Sequence, residues 1–218
     1  MAPRIVTDAQ KVLDVFQAGL SRGATRATHD PAKRYFYVEH PTEGWRVYLR
    51  SVCFIHELAK GFNPEHFIVV KRTGGDAENA VWEPPKGQME GKEDTDGKSV
   101  YDLLRSNVRR EVGEEAKLYT LRDVQHTGQV LQSVEPDYPP NTFFQYHIFS
   151  AYAYPAHVRK AFEEFAWIKE HPKAFARMSR DRREKDDIAW YDESTKKMMG
   201  KWSPTLVEQY LSSFRRSG

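Results

Sequence analysis

The sequence predicts an α/β (α+β) fold, a sandwich built around a mixed sheet. Three observations lead there. Strand-like runs of β-branched and aromatic residues lie on both sides of one long helical segment, a second helical segment closes the chain, and 13% aromatic residues supply a core although apolar content is only 39%.

Taken in order, Asp8 to about Leu20 reads as a helix, with Asp8 as cap and Val12, Leu13, Phe16 and Leu20 at helical spacing. Arg34–Glu39, the turn Pro41-Thr42-Glu43-Gly44 and Trp45–His56 form a hairpin pattern. His66–Arg72 is a further strand, and Gly74-Gly75-Asp76 turns the chain before Val81-Trp82. Ser99 caps a helix running to about Lys117, with Asp102 reaching back to complete a capping box. Strands follow at Tyr119–Gln132 and Thr142–Tyr152, separated by the proline-rich Glu135–Pro140. A polar, basic helical stretch covers Ala156–Arg183, with a break at Pro172. Ile188–Tyr191 is a short strand, and Ser203-Pro204 supplies N-cap and N1 proline to a last helix, Thr205–Phe214.

Composition removes several functions. A net charge of +2, from 33 basic and 31 acidic residues, is too balanced for a dedicated nucleic-acid protein, and no DNA partner is expected. The single cysteine, Cys53, lies in the apolar run Val52–Ile55 and reads as a buried structural thiol in a reducing compartment. No run approaches the ~20 apolar residues of a membrane span. The N-terminal residues lack an apolar signal core, so a soluble, cytoplasmic protein is expected. Histidine and cysteine spacing offers no zinc site, and no G-x-S-x-G is present. Gly97-Lys98-Ser99 fails as a phosphate loop, because Gly91 to Gly97 encloses five residues, three of them acidic.

One feature remains unexplained by folding alone. In Arg110-Glu111-Val112-Gly113-Glu114-Glu115 the glutamates stand at i, i+3 and i+4, on one helix face and near its C-terminus. Like charges repel at that spacing, and the macrodipole disfavours anions there. A cation must sit against them, and the simplest is a hard, oxygen-seeking metal such as Mg²⁺.

These residues, with the upstream turn Trp82-Glu83-Pro84-Pro85-Lys86-Gly87, resemble the Nudix hydrolases, whose signature is G-x5-E-x7-R-E-U-x-E-E-x-G-U with U aliphatic. Gly87 and Glu93 match its opening, Arg110 to Ala116 its closing part, and Leu118 the last aliphatic place. Two departures stand out. Sixteen residues separate Glu93 from Arg110 where the pattern has seven, read as a longer loop at Asp94–Lys98 plus extra helix; Glu90 is the alternative to Glu93. Lys117 occupies the glycine position, so lysine either adopts a left-handed conformation at ~1–2 kcal/mol or extends the helix.

The resemblance covers roughly Trp45 to Phe214 and implies an α/β/α sandwich at residues 45–218, with 1–44 as an N-terminal extension. It implies cleavage of a diphosphate linkage with Mg²⁺ (or Mn²⁺) held by Glu93, Glu111, Glu114, Glu115 and the Lys86 carbonyl. Arg110 would orient the glutamates, and Arg72, Lys86 and Gly87 would meet the substrate. Glu114 is the candidate general base, with Glu83, Glu135 and Asp137 still open. A small polyphosphorylated substrate such as a dinucleoside polyphosphate is expected. The alternatives are mRNA decapping, to which the basic stretch Arg159–Lys185 would contribute, and a non-catalytic nucleotide- or RNA-binding module.

Overall fold

The computed structural model describes residues 4–6, 28–30, 35–39, 46–74, 80–90, 98–135, 137–192, 195, 200 and 202–215. In chain order these give β1 (Arg4–Val6), β2 (Thr28–Asp30), β3 (Tyr35–Glu39), β4 (Arg46–Glu57), β5 (Ile68–Arg72), β6 (Trp82–Glu83) and β7 (Lys86–Gln88). There follow α1 (Val100–Ala116), β8 (Arg122–Ser133), β9 (Thr142–Ala153), α2 (Pro155–Glu170), α3 (Pro172–Phe175), β10 (Lys185–Trp190) and α4 (Ser203–Arg215). The predicted helix at Asp8–Leu20, the turn Pro41–Gly44 and Glu93 lie outside the described residues.

The architecture is mixed α+β. The larger sheet runs β1-β8-β9-β4-β3-β2, with β7 also paired to β4, and a second sheet runs β10-β5-β6. The expected hairpin is present as an antiparallel β3–β4 pair in the register Tyr37↔Tyr48, Val38↔Val47 and Glu39↔Arg46.

The chain packs as two compact units. The first comprises Met1–Val52, Gly87–Val108 and His126–Phe149. Its aromatic core joins Tyr37, Tyr48 and Phe144, with Tyr48 stacked on Phe144 at 5.2 Å and Tyr138 edge-on to Phe144 at 4.7 Å. Period-2 alternation along β3, β4 and β9 turns these rings to one side. Buried Asn107 ties the first half of α1 to β4 by donating to Ser51 Oγ at 2.7 Å. The start of α1 is capped as expected: Ser99 Oγ accepts the Asp102 N–H at 3.1 Å and donates to the Asp102 carboxylate at 2.6 Å.

The second unit comprises Cys53–Lys86, Arg109–Gln125 and Ser150–Gly218. Phe54 stacks on Tyr210 at 3.8 Å and meets Phe67 edge-on at 4.9 Å. The Tyr210 hydroxyl bonds His56 Nε2 at 2.6 Å while His56 Nδ1 donates to the His66 carbonyl at 2.9 Å, so every polar atom of this core pair has a partner. Cys53 is buried, and burial pushes its thiol up, as an inert structural cysteine requires. On α2 the residues Val158, Ala161, Phe165 and Ile168 make the buried stripe, with Pro155 in the first turn.

Three predicted boundaries move. The helix expected over 156–183 ends at Glu170, resumes only as Pro172–Phe175, and gives way to a 3₁₀ turn at Asp181–Arg183, because Pro172 cannot donate to the preceding turn. The strand expected from Tyr119 starts at Arg122, after Lys117 has turned with φ 59°. The strand expected at Ile188–Tyr191 runs from Lys185 to Trp190. No described helix is long and apolar enough to cross a membrane.

Candidate active site

The last two turns of α1 belong to the second unit and carry the acidic string. Arg110 forks between two of its members: Nη2 donates to Glu111 Oε1 and Nη1 to Glu114 Oε2, each at 2.8 Å. A planar guanidinium suits this double task, since both donors are fixed in one plane. Glu115 turns elsewhere. Its Oε2 accepts the Lys86 backbone N–H at 2.8 Å and its Oε1 accepts Lys185 Nζ at 2.9 Å. The sequence explains the first bond: Pro84 and Pro85 have no N–H, so Lys86 carries the first backbone donor after Glu83.

Glu83 extends the network. It is 2% exposed; its Oε1 accepts Lys185 Nζ, and its Oε2 accepts Lys86 Nζ and, at 3.2 Å, the Ser203 hydroxyl. A side chain on Gly200 would place its Cβ 3.4 Å from that same Oε2 and 3.1 Å from Ser203 Oγ, so it would press on the Ser203 hydroxyl. Ser203, expected as the cap of the last helix, is already inside α4 and spends its hydroxyl on Glu83.

The electrostatics of the two carboxylates diverge. Burial would push Glu83 up, but the Lys86 and Lys185 ammoniums together outweigh it and hold the group at about 2. Glu111 is pushed up to about 8, first by burial and then by Glu115 and Glu114, while Arg110, among the described residues, pulls it down. Lys185 would be lowered by its burial, yet Glu115 and Glu83 raise it above an ordinary lysine. Glu111 therefore lacks a full counter-charge, whereas Glu83 and Glu115 have theirs.

Lys117 resolves the departure at the glycine position. The helix ends at Ala116 and Lys117 takes the left-handed conformation, φ 59°. Its buried Nζ turns back to donate to the Glu114 carbonyl at 2.6 Å and to the Arg182 carbonyl at 3.1 Å. One of these carbonyls belongs to the last turn of the helix, which leaves it without a partner inside the helix, and a cation stands where the dipole favours one.

The structure thus brings together Arg110, Glu111, Glu114, Glu115 and Lys86. Arg72 is exposed at the end of β5, directly across the ladder from Lys185. Gly87, on β7, belongs to the first unit, where its carbonyl lies 3.5 Å from Asn107 Nδ2. Among the described residues no three His, Cys, Asp or Glu side chains converge as ligands for one ion. Sequence reasoning missed Lys185. Counted there in a basic surface stretch, it is 3% exposed at its side chain and pairs with two buried glutamates. Nothing in the run Arg182-Arg183-Glu184-Lys185 distinguishes it from its neighbours.

No family model matches the chain, and no curated protein matches it. Among solved structures it is similar to an Ap4A hydrolase binary complex from C. elegans, at 16% identity and a TM-score of 0.41, over 78% of this chain and 99% of that one. A mutT/nudix family protein from Listeria innocua gives 18% identity and 0.42, over 78% and 95% of the two chains. The E. coli ORF135 protein gives 12% identity and 0.44, over 81% and 96%.

Proposed function

We propose that residues 45–218 act as a Nudix-type hydrolase, cleaving a diphosphate linkage in a small polyphosphorylated molecule such as a dinucleoside polyphosphate. The observation that carries this reading is the Arg110 fork, which fixes Glu111 and Glu114 side by side while Glu111 is left short of positive charge. A divalent ion, Mg²⁺ or Mn²⁺, fits that deficit, and Glu111 and Glu114 are the carboxylates to hold it. Bound there, it would lower the pKa of its water and neutralise charge on the departing phosphate.

Within the chain, Arg110 keeps both carboxylates oriented. Glu114, the more exposed of the two at 27% of its side chain against 10%, takes the proton of the attacking water. Glu83 is set aside as a base: both its oxygens accept lysine protons, and its carboxyl is held near 2. Lys86 contributes its backbone to Glu115 and its ammonium to Glu83, and the exposed Arg72 is the cation assigned to a substrate phosphate. A small substrate is preferred to capped RNA here, with Lys185 of the basic stretch buried and Lys169 paired with Asp187 at 2.6 Å while its other basic residues stay exposed.

A second reading, a binding module without turnover, is favoured by one observation: both oxygens of Glu115 are engaged by protein donors. A panel of dinucleoside polyphosphate, nucleotide sugar, inositol pyrophosphate and capped RNA, each with Mg²⁺, Mn²⁺ or EDTA, separates the two. Metal-dependent product is expected, and Glu114→Gln should lower turnover by about two to four orders of magnitude with an unchanged melting temperature. Equal turnover in EDTA ends the hydrolase reading, and tight binding without product at any metal concentration favours the module. Capped RNA cleaved fastest, with an affinity falling steeply in salt, would restore decapping.

A further inference from the structure

The ammonium of Lys185 lies between two buried carboxylates, Oε1 of Glu83 and Oε1 of Glu115. With Lys86 Nζ on the other oxygen of Glu83, the four side chains form a neutral set, two anions and two cations. Buried and neutral, such a set is satisfied without any added ion. A divalent cation on Glu115 would break that balance and face the ammonium across one carboxylate, where like charges repel strongly in a dry site.

We propose that Lys185 is a positioning residue that competes with a divalent cation for Glu115: its ammonium occupies the cation's place on that carboxylate and yields it when the ion binds. The proposal rests on the hydrolase reading only in that the acidic end of α1 takes a divalent ion. The local backbone suits such an exchange. Lys185 is the first residue of β10, and the β10–β5 ladder shifts register between Lys185 and Asp187. The continuous pairs Asp187↔Lys71 to Trp190↔Ile68 lie beyond that irregularity, and Lys185 itself pairs with Arg72, so the exchange asks only its side chain to leave Glu115. The retreating ammonium keeps a partner, because Glu83 already accepts from it.

Manganese binding followed by electron paramagnetic resonance, together with thermal unfolding in EDTA and in excess Mn²⁺, tests this on the full chain. Lys185→Met removes the competitor. It should melt lower than the parent in EDTA, recover with Mn²⁺, and bind Mn²⁺ at least about tenfold more tightly, a gain that a merely structural lysine would not produce. Glu83→Gln leaves Lys185 with Glu115 as its remaining anion and should weaken Mn²⁺ binding several-fold. Lys185→Arg keeps the charge and should bind Mn²⁺ no more tightly than the parent.

Parent-like or weaker Mn²⁺ binding by Lys185→Met overturns the proposal. Should that variant fail to fold, Glu83→Gln decides, and an affinity equal to or above the parent's overturns it. A parent that binds no Mn²⁺ overturns both this proposal and the hydrolase reading. Mn²⁺ affinities in the expected order without turnover of any substrate would refute the hydrolase reading alone. Metal-dependent turnover with parent-like affinity in both variants would refute the competition alone.

Discussion

Acid should destabilise the first unit through one histidine pair. His126 on β8 and His147 on β9 face each other, with His126 Nε2 3.1 Å from His147 Nδ1. The Gly128 N–H donates to His126 Nδ1 at 3.0 Å, so the proton of His126 sits on Nε2 and is given to His147. Both rings are neutral, and adding a proton to His126 would break the Gly128 bond. Burial lowers His126 from 6.5 to about 4, and burial followed by the charge of His126 lowers His147 well below its ordinary value. Above pH 6.5 neither folded nor unfolded chain binds the proton, and nothing is lost. As pH falls from 6.5 towards 4 the unfolded chain takes it and the folded one does not, so stability drops. A depression of 2.5 units corresponds to about 3 kcal/mol once pH is below 4, of which His126 alone accounts for about 2 kcal/mol at pH 5. Urea unfolding of the parent and of His126→Gln between pH 7.5 and 5 isolates this share, because every carboxylate titrates in both proteins. The variant starts less stable, having lost the ring's edge-on contact with Phe149 at 5.0 Å, yet its pH profile should be flatter by about 2 kcal/mol. Parallel profiles would refute the assignment of a neutral, proton-resisting pair.

Two further outcomes concern the acidic helix. Lys117→Gly relieves a left-handed lysine, worth ~1–2 kcal/mol, but loses charge-assisted bonds to two carbonyls at about 1.5–3 kcal/mol each, so it should melt below the parent. Lys117→Ala keeps the strain and loses the bonds, and should melt lower still; a glycine variant at or above the parent would show that the ammonium contributes nothing. Arg110→Lys can reach one of the two glutamates but not both. One lost charge-assisted bond of about 2 kcal/mol should lower turnover roughly 30-fold with the fold intact, and unchanged turnover would remove Arg110 from the site.

What could be read from the sequence is what neighbouring residues encode. The spacing of Glu111, Glu114 and Glu115 on one helix and the Ser99 cap each depend on residues within a few positions, and each is found in place. The helix before Arg110 begins at Val100, one residue after its expected cap Ser99. The basic stretch misled for the complementary reason. A lysine on a solvated face and a lysine closing a buried pair look alike in sequence, and Lys185 finds Glu83 across 102 residues. Lys117 repeats the lesson over 65 residues: its local cost is visible in the sequence, but its compensation, the carbonyl of Arg182, is not.

This bears on the puzzle the sequence poses, of why a helix should gather acid at its C-terminus. Protein cations answer much of it. Lys185 neutralises Glu115, Lys117 caps the carbonyl end, and Arg110 is shared between Glu111 and Glu114. Among the described residues, one guanidinium bridges two carboxylates, and Glu111 is the one whose carboxyl is driven up to about 8. On the hydrolase reading proposed above, an external cation would meet Glu111 and Glu114 first, and Glu115 only where Lys185 gives it up.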